Sequence, residues 1–215
     1  MTSKALRAVA GVAVAGAVVL SGGTVAFAGT APAIPTGFLL HEKTAREPVK
    51  YPEEEKWTIS ESRTLNLVVN PCRLKSPRDK GRVAMRTIGH TAPEHYSGEQ
   101  VVIYRSRAAA KAAMASLRAQ VVRCVHAAEG SFVTRAYATS VSVGDQAFRF
   151  ARQNYYESKP AIGGDRAVVV RKARTVAIYT VSGEYGRIRA TDYTRQLAGA
   201  RTMAAKLCSL PATGC

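Results

Sequence analysis

The 215-residue chain carries 31 Lys and Arg against 15 Asp and Glu, a formal net charge of +16, with 47% hydrophobic and 21% charged residues. That length is one domain with room for a real core, and that balance excludes a disordered chain, a collagen and a multispan membrane protein. Four cysteines are too few for a scaffold held by disulfides alone, and the 17 glycines have no period.

The first segment reads as an address. Lys4 and Arg7 precede an uncharged stretch from Ala8 to Leu40, of which Ala8 to Leu20 is only Ala, Val, Gly and Leu. Ser21-Gly22-Gly23 breaks the run and Ala26-Phe27-Ala28 supplies a small-x-small cleavage site. Residues 1–28 therefore read as a Sec-type signal peptide, and the mature protein as secreted. A retained anchor needs about 20 apolar residues, so membrane contact is confined to the passage of the signal peptide. No Cys follows the run closely to be acylated, and no Arg-Arg pair precedes it.

Residues 29–56 hold Pro32, Pro35, Pro48 and Pro52 and the triplet Glu53-Glu54-Glu55, and read as a linker or loosely draped arm. Its one apolar cluster, Phe38-Leu39-Leu40, is expected to tuck onto a domain spanning 57–215. There, Leu65, Leu67 and Val69 predict a short strand running into Pro71-Cys72. Arg82 to Thr91 and Gln100 to Arg105 are strand-like, with Val83, Met85, Val101 and Ile103 as buried candidates. Ser106 then caps a helix whose apolar stripe is Ala110, Met114, Leu117, Val121 and Cys124. Arg107, Lys111, Arg118 and Arg123 are solvated around it, and Gly130 is its stop.

Four strands follow: Phe132 to Val141, Gln146 to Tyr156, Arg166 to Lys172 and Thr175 to Ser182. Gly163-Gly164 reads as a turn. Ala173-Arg174 has the spacing of a hairpin, although neither residue favours positive φ. Thr191 to Cys208 closes the pattern as a helix with Leu197, Met203 and Leu207 inward. Strands in runs, with helices between and after them, predict an α+β fold: an antiparallel sheet with two main helices packed on it, covered on one face and braced by disulfides.

Four Cys in an exported protein form two bridges, with three connectivities open. Cys72 follows an early strand and Cys124 lies on the helix stripe. Cys208 ends the last helix, and Ser209 to Gly214 is able to fold back and bring Cys215 to it. The expected pairs are Cys72–Cys124 and Cys208–Cys215.

Motifs for chemistry are sparse. There is no C-x-x-C, and His41, His90, His95 and His126 are scattered, so neither a metal nor a cofactor is expected. His90 to His95 has Pro93 in its middle and reads as a loop holding two His rather than a metalloprotease helix. His126, at the end of the long helix, is expected to cap it. Neither G-x-S-x-G nor S-x-x-K occurs. Leu210-Pro211-Ala212-Thr213-Gly214 spells a sortase signal without the apolar segment and basic tail that sortase substrates carry.

The charge is uneven. Residues 29–99 hold 11 basic and 9 acidic side chains, residues 100–215 hold 18 and 6. Such a field attracts anionic partners. Arg149, Arg152, Tyr155 and Tyr156 combine charge with stacking surface, as single-strand binders do. Alternation of Phe148 and Phe150 with Arg149 and Ala151 is also that of a half-buried strand. Behind an export signal, nucleic acid is not the expected partner.

Gln100 to Tyr104, the Ala-rich helix through Arg123-Cys124, Val143-Gly144-Asp145 with its following aromatic strand, and Val168-Val169-Val170-Arg171 to Tyr179 together resemble one group. It is the secreted sensor-like domains typified by the extracellular domain of mycobacterial protein kinase H, over roughly residues 60–210. The resemblance implies a disulfide-braced α+β domain around a ligand groove, with Cys72–Cys124 as the group's bridge from an early segment to the long helix. It brings no catalytic residue, and Cys208–Cys215 has no counterpart in it. The implied function is an exported, non-enzymatic binding module for an anionic or amphipathic cell-envelope component. Arg149, Arg152, Arg171 and Arg187 are its candidate ligand contacts, because guanidinium groups fit phosphate and carboxylate. The alternatives are a secreted hydrolase, marked by an acid of raised pKa near His90 or His95 beside a cleft, and a partner-binding protein, marked by a large exposed apolar patch.

From loop-closure entropy, Cys124→Ser is expected to lower stability by about 4 kcal/mol and Cys215→Ser by about 2.5 kcal/mol, as upper bounds. Non-reducing peptide mapping checks the pairing; a peptide joining Cys72 to Cys208 or Cys215 overturns it.

Overall fold

The computed structural model describes residues 33–215 apart from residues 78, 125 and 128–130. The signal peptide read at 1–28, the helix stop read at Gly130 and the side chain of His126 lie outside the described residues. Among the described residues, eight strands form one sheet: β1 (Lys56–Ser60), β2 (Arg82–Ala92), β3 (His95–Tyr104), β4 (His126–Ala127), β5 (Phe132–Val141), β6 (Gln146–Tyr156), β7 (Lys159–Lys172) and β8 (Thr175–Gly183). The order is β1-β2-β3-β8-β7-β6-β5-β4, with every neighbouring pair antiparallel. Two meanders thus meet at β3 and β8. Helix α1 (Arg107–Arg123) carries the chain from β3 to the far edge at β4, and α2 (Thr194–Lys206) follows β8.

The helices cover opposite faces of the sheet, not one face as the strand pattern suggested. Val101, Ile103, Val168, Val170, Ala177 and Tyr179 pack with Ala200, Met203 and Leu207 on the α2 face. Val102, Tyr104, Val169, Val176 and Ile178 pack with Ala110, Met114, Leu117 and Val121 on the α1 face. Period-2 geometry sends neighbours to opposite sides, so an unbroken apolar run such as Val168-Val169-Val170 belongs to a strand buried on both. Ser106 caps α1 by accepting from the Ala109 N–H at 3.1 Å. The helix ends at Arg123, with Cys124 at its cap.

Irregular chain completes both layers. Residues 33–55, read as a linker or draped arm, bury Ile34, Phe38 and Leu39 in the α2-side core. The apolar residues in this arm are too few to hold it alone. Its anchor is Glu42, 1% exposed, whose carboxylate receives the Arg86 Nε at 3.0 Å, the other end of the same guanidinium and Arg46 at 2.9 Å. The described residues of 61–80, where the sequence predicts a strand over Leu65–Val69, form no strand. Side chains take the place of a ladder: Asn66 and Asn70 donate to the Leu74 carbonyl, the Gln100 carbonyl accepts from the Val68 N–H, and its amide donates to the Asn66 carbonyl. This segment is anchored by Asp79, which holds Arg82 and accepts from the Tyr104 hydroxyl at 2.6 Å. The two anchoring arginines sit on one strand yet face opposite layers. A register shift between Arg82 and Ala84 places Arg82 opposite Tyr104, while Arg86 stays opposite Val101.

The disulfides join Cys72 to Cys124 and Cys208 to Cys215. The first ties the 61–80 segment to the end of α1. The second closes the tail, where Leu210 and Thr213 are buried and Thr213 donates to the Leu210 carbonyl at 2.7 Å. The sortase-like pentapeptide is therefore folded in, and reading it requires the tail to open. Gly163-Gly164 is a bulge within β7 rather than a turn: a Cβ on Gly164 would stand 2.1 Å from the Arg152 carbonyl oxygen. Ala173 does adopt positive φ in the β7–β8 turn, its N–H held by Asp145 Oδ2 at 2.7 Å.

Burial alone would raise the Glu42 carboxyl, but the Gly37 N–H, Arg46 and Arg86 hold it down at about 2. Its stabilising contribution is therefore complete above the ordinary value of 4.5 and is lost as pH falls through 2. Glu42→Ala leaves the buried Arg86 guanidinium with only the exposed Glu61 carboxylate as an acidic partner, and is expected to lower stability at neutral pH by about 3 kcal/mol. Arg46→Ala, at the exposed end of the same carboxylate, is expected to change it by less than about 1 kcal/mol. Urea denaturation of the two variants checks both.

Candidate functional site

A cavity of about 750 Å³ opens on the α2 face at the end of the sheet where β3 begins and β8 ends. Its floor is Ser97, Glu99, Tyr179 and Val181, which alternate inward on two paired strands. One wall is the arm at His41 with Trp57 of β1; the other is the start of α2 at Arg195 and Gln196. Pro93 and Glu94 of the β2–β3 turn, His95 at the start of β3, and Glu184 and Tyr185 beyond β8 form the rim.

Glu99 organises the floor. Its side chain is 1% exposed, and both oxygens are fully engaged. Oε1 accepts from the Leu40 N–H at 2.8 Å and the Tyr179 hydroxyl at 2.7 Å; Oε2 accepts from the His41 N–H at 2.8 Å and bonds His41 Nδ1 at 3.0 Å. Burial would raise the Glu99 carboxyl, yet the bonds from His41, Tyr179 and the two backbone N–H groups carry it below its ordinary value. The hydrogen bond that His41 donates to Glu99 in turn raises His41 above 6.5, against the opposing effect of burial. Burial, reinforced by the Glu99 charge and hydrogen bond, pushes the Tyr179 hydroxyl strongly upward, so it stays a donor. The result is an ionised carboxylate with four donors and a half-exposed imidazole oriented by it.

Beside this set, the ring of His90 stacks on Trp57 with centroids 4.3 Å apart, and lies 6.0 Å from the ring of His95. The two His bracket a strand-to-strand turn rather than sitting together in a loop. Burial, then His90 and Arg195, lowers the pKa of His95. Asp192 at the back of the cavity is committed to Arg166, which is 0% exposed and spends its five N–H groups on Asp192, Gln153 and the carbonyls of Arg152, Asp165 and Gly186. No three His, Cys, Asp or Glu among the described residues gather as a metal-binding set.

None of Arg149, Arg152, Arg171 and Arg187 lines this cavity. Arg149 faces the α2 side and lies 5.2 Å over the Tyr193 ring. Arg152, three residues on, faces the α1 side and pairs with Asp165 at 2.7 Å. Arg171 is buried, bonded to Asp145 at 3.2 Å and to the Ala173 carbonyl at 2.9 Å. Arg187 is exposed in the loop between β8 and α2. The residues that do build the cavity, His41, Trp57, Glu99, Tyr179 and Arg195, form no spaced motif. Glu99 stands 58 positions from His41 and 80 from Tyr179.

No family model matches the chain, and no curated protein matches it. Among solved structures it is similar to the extracellular domain of PknH from Mycobacterium tuberculosis, with 11% identity and a TM-score of 0.49 over 83% of this chain and 96% of that one. It is also similar to an uncharacterised protein from Mycobacterium smegmatis, with 12% identity and a TM-score of 0.37 over 82% and 100% of the two chains. The two disulfides themselves are the chemistry of an oxidising compartment.

The His41–Glu99 bond is expected to hold the arm most firmly between pH 4.5 and 6.5. The lowered Glu99 contributes above 4.5 and loses its contribution as pH falls; the raised His41 contributes below 6.5 and loses its contribution as pH climbs through its folded value. Hydrogen exchange at the Leu40 and His41 amides checks this. The gap in protection between the native chain and His41→Ala should be widest in that window and narrow on both sides of it.

Proposed function

We propose that the chain is an exported binding module and that its ligand occupies the cavity between the arm and α2. The observation that carries this reading is the cavity itself: about 750 Å³ of space floored by polar groups already bonded to one another. Preformed cavities with apolar walls and a few fixed polar groups are the usual form of a small-ligand site.

Of the two ligand chemistries expected from the sequence, the lining favours the amphipathic one. Glu94 and Glu184 stand exposed at the rim, and Arg195 is the cation on the wall. Trp57, Tyr179, Tyr185 and Ile88 offer apolar surface. A ligand with hydroxyl or ammonium groups on a ring or chain suits that lining, whereas a polyanion would face the two rim carboxylates. A hydrolase reading calls for an acid held protonated beside the cleft, and the buried acid of this cavity, Glu99, is shifted the other way. Residues 1–28 supply the export signal in this reading.

Trp57 is the protein's single tryptophan and lines the cavity, so its emission reports on occupancy. Native mass spectrometry of protein recovered from the medium of the producing cells is expected to show an excess mass that disappears on denaturation. Ser97→Trp, which fills the floor, should abolish it. A clean mass in the native chain, or the same excess in the variant, overturns the reading.

A further inference from the structure

Seven arginines stand in the described strands. Five are matched to a carboxylate: Arg82 to Asp79, Arg86 to Glu42, Arg152 to Asp165, Arg166 to Asp192 and Arg171 to Asp145. The other two, Arg135 of β5 and Arg149 of β6, have no carboxylate partner among the described residues. Each lies instead over a tyrosine ring, Arg135 at 4.9 Å from Tyr155 and Arg149 at 5.2 Å from Tyr193.

These two are not scattered. Arg149 pairs across the sheet with Thr139, which shares the face of Arg135, so both arginines project on the α2 side of adjacent strands. They are four residues apart along the strand, about 13 Å at a rise of about 3.3 Å per residue. Tyr137 stands between them, 38% exposed, its hydroxyl 2.7 Å from that of Tyr155. α2 packs on β7 and β8, and Arg135, Tyr137 and Thr139 of β5 remain exposed. From Phe132 to Tyr156 the one acid is Asp145. It lies in the β5–β6 turn and is occupied by Arg171, Lys172 and the Ala173 N–H.

We infer that this strip of β5 and β6 is a second binding surface, distinct from the cavity, and that its occupant is an acidic polysaccharide. Unneutralised guanidinium groups present paired donors to carboxylate or phosphate groups. The tyrosine between them offers a flat, half-apolar platform on which a sugar ring rests, with a polar edge for its hydroxyls. The preference for a glycan over a nucleic acid rests on the exported location proposed above. The cavity and the strip divide the work by charge: the cavity has acids at its mouth, and the described residues of the strip include none.

The probe is polygalacturonate, titrated into the full chain at low and at raised sodium chloride, with oligothymidylate as the competing polyanion. Binding of polygalacturonate that weakens with salt is expected. Arg135→Gln with Arg149→Gln should weaken it at least about tenfold, equivalent to about 1.4 kcal/mol. Lys111→Gln with Arg123→Gln removes the same charge from exposed positions on α1, on the opposite face, and should leave binding within about twofold, or about 0.4 kcal/mol. Each single Arg→Gln variant should weaken binding about threefold, which keeps the test open if the double variant unfolds. Equal loss in the two double variants makes net charge the cause and overturns the site. So does no binding of polygalacturonate. Tighter binding of oligothymidylate overturns the glycan assignment, while the cavity reading stands or falls on its own mass measurement.

Discussion

The bond between Glu42 and Arg86 is the constraint on which much of this molecule depends. The arm is too poor in apolar residues to stay on the sheet by burial alone, and a buried guanidinium is intolerable without a partner. Each supplies what the other lacks. Asp79 and Arg82 repeat the arrangement on the opposite layer, and the shift in register between the two arginines lets a single strand serve both. Acids are the scarce resource in a chain with 15 of them against 31 bases. Five of the acids fix irregular chain or neutralise a buried arginine: Glu42 and Glu99 hold the arm, Asp79 the 61–80 segment, Asp145 the β7–β8 turn, and Asp192 the approach to α2.

The cavity follows from that allocation. Its floor belongs to the sheet, but one wall exists because Glu99 takes the Leu40 and His41 N–H groups and the His41 ring. Remove the arm and what remains is an open sheet face. Charge differs between the two surfaces: Glu94 and Glu184 stand exposed at the cavity mouth, and the two strand arginines without a carboxylate partner among the described residues stand on β5 and β6.

Much of the architecture was legible before any coordinates. β5 and β6 have the bounds read from the sequence, β6 through the alternation of Phe148 and Phe150 with Arg149 and Ala151, and the stripe from Ala110 to Val121 marks α1. The cover on both faces is also written in the unbroken runs Val101 to Tyr104 and Val168 to Val170, beside strands whose alternation suggests one covered face. The 61–80 segment misled because Leu65, Leu67 and Val69 have the period of a strand while Asn66, Asn70 and Gln100 satisfy its backbone from the side; such substitution leaves no periodic trace. Arg149 and Arg152 could never share a groove, since positions three apart on a strand face opposite ways. The cavity was least legible of all. Its key contacts join residues 58 and 80 positions apart, and only the meeting of two meanders brings them together.

That meeting has a consequence for how the fold is reached. β1, β2 and β3 are contiguous in sequence and pair locally, and so are β5 to β8. The pairing of β3 with β8 spans the greatest stretch of chain, and it lies at the middle of the sheet rather than at its rim. As the chain emerges N-terminus first, β3 is therefore an open, apolar edge until nearly the last strand has appeared. Long-range antiparallel closure of this kind is slow, and an exposed edge in the meantime invites association with other chains. Assembly order, and not only final stability, sets the yield of this protein: the seam that unites its halves is the last part of the sheet to form.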